Sequence, residues 1–316
     1  MLQPLIQQLM AEVQRRGVAP PKDLPEALRQ VIAVDGTFFT LTREVMWAAQ
    51  HGYATKGWGK GRKRGGRVDV HWDVGHGLPV VVNVHGCDTS EAENAVKHVQ
   101  PGAIHLYDRG IFSFELLAEH NRVQAWFVSR MRTDGPRCPK IREEKIRLLT
   151  TQDEAAGVVS DRLISFCGSQ HTTPPEGTFR EVIVRDASNP SQTVRLITNL
   201  LDVAAWVIAA LYRQRWQVEL FFRWLKIYAH FLKPLTYSKA GMQLQLYVAV
   251  VAILLIYLRL GVPPSKAAYT LFTWYLQGLI GFEELSSPPN AKPPKPAPAA
   301  PAPNNYKNKT YNSLQT

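Results

Sequence analysis

The period of apolar and polar positions changes several times along the chain, and each change predicts a different element. Residues 1–30 read as one short amphipathic helix followed by a proline-rich joint at Pro20, Pro21 and Pro25, too little for a full helix-turn-helix module. From Val31, VIAVDGTFF is an apolar, β-branched run. RVDVHWDV and LPVVVNVHG then predict a strand pair turned at Gly75 and Gly77. SEAENAVKHV predicts a helix with Ser90 as N-cap and with Glu91 and Glu93 in its first turn. AIHLYD is a further buried strand, FSFELLAEH a helix and VQAWFVS a strand. That order implies a mixed α/β sheet with helices packed on it.

Between residues 131 and 200 the helical period fades. Gly, Pro, Thr and Ser separate short β-like runs such as RLISFCG, REVIVRD and TVRLITN, so a β-rich insertion is expected. Asp202 is expected to cap a long helix that stops before Pro234, and a second, apolar helix follows to about Leu260. Within it LYVAVVAILLIYL, residues 246–258, carries no charge. It falls short of the roughly 20 residues that cross a bilayer, so it reads as a buried core helix. Beyond residue 287 the text PPNAKPPKPAPAAPAPNNYKNK is dense in proline and poor in core-forming residues, and a disordered tail is expected.

Composition adds a partner class. The 316 residues are 45% hydrophobic, enough for a sizeable core. The formal net charge of +11 predicts a positive potential that concentrates polyanions, nucleic acid first. Cys87, Cys138 and Cys167 lie far apart without C-x-x-C spacing, which suggests neither a zinc site nor a disulfide framework. The N-terminal residues do not read as a signal peptide, so a cytoplasmic protein without a membrane association is expected.

Candidate chemistry begins with YRQRWQVELFFRWLK, residues 212–226. On one helix Tyr212, Arg215, Glu219 and Lys226 share a face within about 60°, with Trp216, Leu220 and Phe221 as apolar anchors. An exposed i, i+4 pair between Arg215 and Glu219 is the bland explanation of this stripe. Two upstream acids favour chemistry instead. Asp35 interrupts the apolar run VIAV, and Asp108 ends AIHLY, where an uncompensated carboxylate costs desolvation energy. A turn-forming Asp near Gly is the bland alternative for each.

Together Asp35, Asp108 and Glu219 make a set of hard oxygen ligands suited to Mg²⁺. His71, His76, His85 and Cys87 have a spacing that fits alternating strand faces better than a soft-metal site. Asp69 and Asp73 look like the outward face of a half-buried strand and rank lower, with Asp88.

VIAVDGT, HLYDRGIF and the Y-x2-R-x3-E-x6-K spacing of Tyr212, Arg215, Glu219 and Lys226 resemble the DDE transposases of bacterial insertion sequences, most closely insertion-sequence family four. The resemblance runs from about Val31 to Leu260. It implies a ribonuclease H-like catalytic core, a mixed sheet with flanking helices, interrupted by the β-rich insertion. Residues 1–30 would then be a short N-terminal helical segment, 31–130 the first part of the core and 131–200 the insertion. Residues 201–286 would be its C-terminal helical part and 287–316 the tail.

The resemblance further implies that Asp35, Asp108 and Glu219 hold two Mg²⁺ ions, with Mn²⁺ as a substitute, for in-line phosphoryl transfer at transposon ends. Arg215 and Lys226 would contact the DNA backbone rather than pair with Glu219, and Tyr212 would hydrogen-bond a phosphate near the cut. The basic stretch with Lys56, Lys60, Arg62, Lys63, Arg64 and Arg67 around Trp58 has the makeup of a DNA-contacting loop, and Arg130 and Arg132 are weaker candidates for the same task.

The expected partners are double-stranded DNA, both terminal inverted repeats and target, and a second copy of the chain, making a homodimer on DNA in the bacterial cytoplasm. Three features depart from the family pattern. Only about thirty residues precede the first motif. Residues 131–200 contain no Trp to stack on a flipped base, a role for which Phe166 or Phe179 would have to substitute, and the proline-rich tail has no counterpart. A ribonuclease H-fold nuclease without strand transfer and an inactive, host-recruited DNA-binding remnant are the alternatives.

Overall fold

A computed structural model describes residues 2–16, 30–41, 64–86, 90–133, 138–168, 173–186, 189, 191–227, 235–260 and 266–285. The chain divides into two compact units, residues 1–264 and 265–316. In the first, α1 (Leu2–Arg15) precedes β1 (Val31–Leu41), β2 (Arg64–Asp73) and β3 (Leu78–Gly86). Then come α2 (Glu91–Val96), β4 (Ile104–Tyr107), α3 (Phe114–Arg122) and β5 (Trp126–Arg130). The β-rich region supplies β6 (Ile141–Ile146), α4 (Thr151–Ala155), β7 (Val158–Phe166), β8 (Phe179–Arg185) and β9 (Thr193–Thr198). Three helices close the unit: α5 (Ala205–Gln214), α6 (Trp216–Ile227) and α7 (Lys239–Leu260). In the second unit α8 (Lys266–Leu276) and α9 (Phe282–Leu285) bury Leu271, Ile280 and Leu285 together.

The described strands make one sheet in the order β3-β2-β1-β4-β5-β9-β8-β7-β6. β1, β4 and β5 run parallel, and β2 and β3 form the expected hairpin, with Gly77 at φ 66 in the left-handed region of its turn. The mixed α/β expectation therefore holds. The β-rich region is not a separate body, because β9 hydrogen-bonds along β5 and extends the same sheet. Ile32, Val34, Tyr107, Phe127 and Met131 form one face, which packs under Leu116 and Leu117 of α3 and Ala95 of α2. By alternation, Asp35 on β1 and the residues that follow Tyr107 and precede Met131 project to the other face, where α5 and α6 lie.

Several local expectations change. The helix predicted from Asp202 is two helices broken at Arg215, whose N–H bonds Tyr212 O and whose carbonyl accepts from Val218, both three residues away. Its N-cap is Ala204, without a side-chain bond; the Trp206 N–H is instead capped by Asp153 Oδ1 at 2.8 Å, a tertiary cap invisible to local pattern. On α6 the buried stripe is Val218, Phe221, Phe222 and Leu225, whereas Trp216 and Leu220, read as anchors, are 53% and 49% exposed. The stripe at i, i+3, i+4, i+7 sets the rotation of the helix and leaves those two positions outward. Ser90 sits at the start of α2 without a side-chain cap bond.

The apolar helix is also longer than the run that suggested it. α7 spans 22 largely apolar residues, so its length is sufficient to cross a membrane and does not argue otherwise. Packing does the arguing here: Met242, Leu246, Val250, Ile253 and Leu254 are buried against α1 and β3. Gln243 ties α7 to β3 by accepting from the Val84 N–H at 2.8 Å and donating to Val82 O at 3.2 Å. The proline-rich tail lies outside the described residues.

His71 of β2 is fully buried, and neither ring nitrogen has a hydrogen-bond partner among the described residues. Burial, with the charge of His98 5.2 Å away, pushes its pKa down to about 3. A depressed folded-state pKa means the unfolded chain takes the proton first, so this contribution is complete above about pH 6.5 and is lost as pH falls toward 3. His71→Leu is expected to raise stability at pH 7 by about 1–2 kcal/mol and to flatten the acid limb of a urea-midpoint versus pH curve. An unchanged acid limb would show that other groups govern it.

Candidate active site

Strand register brings the first two acids together. Val34 of β1 pairs with Tyr107 of β4, so Asp35 and Asp108, one residue further along two parallel neighbours, emerge side by side on one face. Adjacent strands stand about 4.8 Å apart. Above them α6 is held on β1 and β2 by Phe221, whose ring packs on Trp72 with centroids 5.3 Å apart, and by Gln217, which accepts from the Trp72 indole at 3.3 Å. That seat turns Glu219 toward the acids.

Arg215 stands between them. Its Nη2 donates to Glu219 Oε1 at 2.6 Å and its Nη1 to Asp35 Oδ2 at 3.3 Å. The expectation that this cation does not pair with Glu219 is corrected: with two carboxylates in reach, a half-buried guanidinium gains more from both than from solvent. Tyr212, one turn back on α5, donates its hydroxyl to Asp108 Oδ1 at 3.4 Å. Burial pushes its phenol up to about 12, so it stays a donor at neutral pH. Lys226, seven residues after Glu219, lies on the same side of α6 and makes no ion pair with described residues.

Burial pushes the Asp35 carboxyl up to about 6. Arg215 and the Gly36 N–H, 2.8 Å away, pull it down, and the charges of Asp108 and Glu219 push it up again. Hence the acid trio is electrostatically one site. Among the described residues no three His, Cys, Asp or Glu side chains stand close enough to share one metal ion, because Arg215 fills the space between Asp35 and Glu219. The donor set nonetheless fits a hard divalent cation: the carboxylates gather around a positive charge, and all are oxygen ligands.

A pH dependence follows. In the metal-free chain a raised Asp35 pKa keeps the folded state more protonated than the unfolded one between pH 3.8 and about 6, so its contribution to stability declines as pH rises through that window. A cation competing for the carboxylate gains over the same range. Mn²⁺ titrated calorimetrically into the chain is expected to bind about tenfold more weakly at pH 5 than at pH 7. In Asp35→Asn that ratio should collapse; a tenfold ratio that survives the substitution would assign the titration elsewhere.

Other expected site residues fall differently. Lys56, Lys60, Arg62 and Lys63 lie outside the described residues, and Arg64 opens β2. Arg67 is not in a loop but in β2, 3% exposed, with both Nε and Nη2 on Asp69; its placement as a DNA-contacting cation is corrected. Asp69 and Asp73, read as outward-facing, are buried as well. Asp69 accepts from Arg67 and from Asn94 Nδ2 at 2.8 Å, and Asp73 pairs with His76 at 2.7 Å, so each charge is compensated in place. Cys87 and Asp88 lie outside the described residues, and His85 stands 3.7 Å from Asp69.

Sequence reasoning read Glu91 only as a first-turn acid. It lies on the far side of β1, where a Cβ on Gly36 would come within 2.5 Å of its Oε1, and its Oε1 is 3.7 Å from Arg67 Nε. Burial pushes its carboxyl up, Arg67 opposes this, and the charges of Asp69, Asp35 and Asp108 add to it. The glycine directly after Asp35 was the available signal, since it marks a strand position where another side chain comes close.

The Transposase DDE domain family matches residues 26–255, and the chain belongs to that family. A Sinorhizobium fredii protein named as transposase y4zB is 26% identical over 199 residues, 62% of this chain and 54% of that protein. A Geobacillus stearothermophilus protein named as the transposase of insertion sequence element IS5377 is 27% identical over 236 residues, 73% of this chain and 56% of that protein. The chain thus spans about half the length of these curated relatives. Among solved structures, the piggyBac transposase synaptic complex with hairpin DNA aligns at a TM-score of 0.41 and 12% identity, over 74% of this chain and 47% of that one.

Proposed function

We propose that the chain is a DNA transposase of the insertion-sequence family four type, cutting and joining DNA at the ends of its element by divalent-metal phosphoryl transfer. The observation that carries this is the convergence of Asp35, Asp108 and Glu219, from β1, the end of β4 and α6, around Arg215 and under Tyr212. Family membership supplies the class of chemistry. A ribonuclease H-like core is supported by the order β3-β2-β1-β4-β5, with β2 antiparallel and β4 parallel to β1, and with Asp35 and Asp108 each directly after the stretch where β1 and β4 pair. Residues 131–200 would then be the insertion that returns the chain to α5.

Asp35, Asp108 and Glu219 would hold Mg²⁺. When bound, the two ions supply Lewis acidity at the phosphoryl oxygens and a water or 3′-hydroxyl made nucleophilic at neutral pH. Arg215, released from Glu219 and Asp35 as the carboxylates turn to that task, is placed to meet a backbone phosphate with its forked donors. Tyr212 remains protonated and can give its hydroxyl to Asp108 or to an adjacent phosphate oxygen. Lys226 adds a point charge further along α6. Two DNA ends must be held at once, so a homodimer assembled on DNA is the working unit.

The test is incubation of the native chain with Mg²⁺, a labelled duplex carrying the element's terminal repeat and a supercoiled target plasmid. Cleavage at the repeat together with labelled plasmid supports the transposase reading. Cleavage without joining favours a nuclease, and binding without either favours a DNA-binding remnant.

A further inference from the structure

We infer that Arg130 is a substrate-binding residue, holding the DNA backbone phosphate that flanks the reacting one on the Asp108 side of the site. The inference rests on the proposed function and extends the row of groups that directly follows the parallel pairing of β1, β4 and β5. Val34 is in register with Tyr107, and Tyr107 is in register with Ser129 of β5. One residue further along all three strands stand Asp35, Asp108 and Arg130, in that spatial order and at successive strand spacings of about 4.8 Å. Their neighbours Val34, Tyr107 and Met131 belong to the core on the opposite face, so alternation places all three on the face of α5 and α6.

Asp108 and Arg130 are therefore the acid and the cation of one ledge. The carboxyl ends of parallel strands are where open α/β sheets bind ligands.

The state of Arg130 fits a ligand more than a structural pair. It is half-buried, yet its guanidinium makes no ion pair and no side-chain hydrogen bond with any described residue. Arg147, Arg162, Arg180 and Arg195 on the same sheet all pair with Asp161, Glu181 or both Glu143 and Glu181. Its charge also acts on the Tyr212 phenol, which sets it beside the group that touches Asp108. A guanidinium paired with none of the described residues, one strand from a proposed metal-holding acid, has the forked donors that suit a phosphate diester. Held there, a flanking phosphate fixes the strand along the ledge and delivers the next one to Asp35 and Asp108.

The experiment measures affinity of the full chain for the terminal-repeat duplex in metal-free buffer across a salt series, for the native protein, Arg130→Gln and Arg130→Lys. Arg130→Gln is expected to melt with the native chain, to bind at least about tenfold more weakly, and to lower the slope of log affinity against log salt by about one. Arg130→Lys should keep the slope. Single methylphosphonate substitutions along the cleaved strand locate the contact: one position beside the cut should weaken the native chain and leave Arg130→Gln unaffected. A native salt slope in Arg130→Gln, or no methylphosphonate position that distinguishes the two proteins, overturns the inference and leaves the transposase reading standing. Failure of the native chain to bind the duplex at any salt overturns that reading itself.

Discussion

Glu219→Gln is expected to bind a terminal-repeat duplex within about threefold of the native affinity and to cut it at least about 10³-fold more slowly, beyond the 10–100-fold typical of losing an outer-shell partner. Glutamine keeps the volume of the side chain and an oxygen that can still accept from Arg215, now 2.6 Å from Glu219, so α6 should stay where Val218, Phe221 and Leu225 put it. What it loses is the negative charge, and with it one of the three proposed hard ligands and part of the field that raises Asp35. Binding and cutting should therefore separate, because the proposed function takes phosphate contacts from the cations and chemistry from the acids. Quench-flow cleavage beside gel-shift affinity checks this. A variant that cuts within tenfold of the native rate would remove Glu219 from the metal-holding set, whatever the family match implies for the other two acids.

How far the sequence carried depends on whether an element is decided by its own residues. The hairpin of β2 and β3, the strand that carries Asp35 and the strand ending at Asp108 were legible because period-2 runs and glycine turns are local. The spacing of Tyr212, Arg215 and Glu219 was legible too, and the structure brings Tyr212 onto Asp108 and Arg215 onto both Asp35 and Glu219. What stayed hidden depends on partners distant in sequence. Arg67 reads as the last cation of a basic stretch, and only strand pairing buries it on Asp69. Asp153 drew no notice in the sequence, yet one of its oxygens caps Trp206 of α5, fifty-three residues on. The rotation of α6 likewise depends on a distant partner: Trp216, Leu220 and Phe221 read as its anchors, and with Phe221 packed on Trp72 the other two are exposed.

Arg180→Met should destabilise the chain by about 3–5 kcal/mol, a large share of the 5–15 kcal/mol that holds a typical domain. Arg180 is 1% exposed. Its Nε and Nη2 hold both oxygens of Asp161 at 2.8 and 2.7 Å, and its Nη1 donates to Leu201 O and Val203 O in the segment entering α5. Methionine matches the apolar stem but leaves Asp161, 4% exposed, with only Arg147 at 3.6 Å among the described residues, and takes the Arg180 donor from Val203 O, while Leu201 O keeps Arg147 Nη1. Urea unfolding of the full chain measures the loss. In Arg180→Met/Asp161→Asn the combined cost should be smaller than the sum of the two single costs, since the second change removes the charge that the first left unpaired. Strict additivity would mean the pair is not the source of the effect. Because the bonds of Arg180 end where α5 begins, and α5 and α6 carry Tyr212, Arg215 and Glu219, the single variant should also lose cleavage at temperatures below its own melting transition. The β-rich part of the sheet would then act on the chemistry by fixing where those helices start.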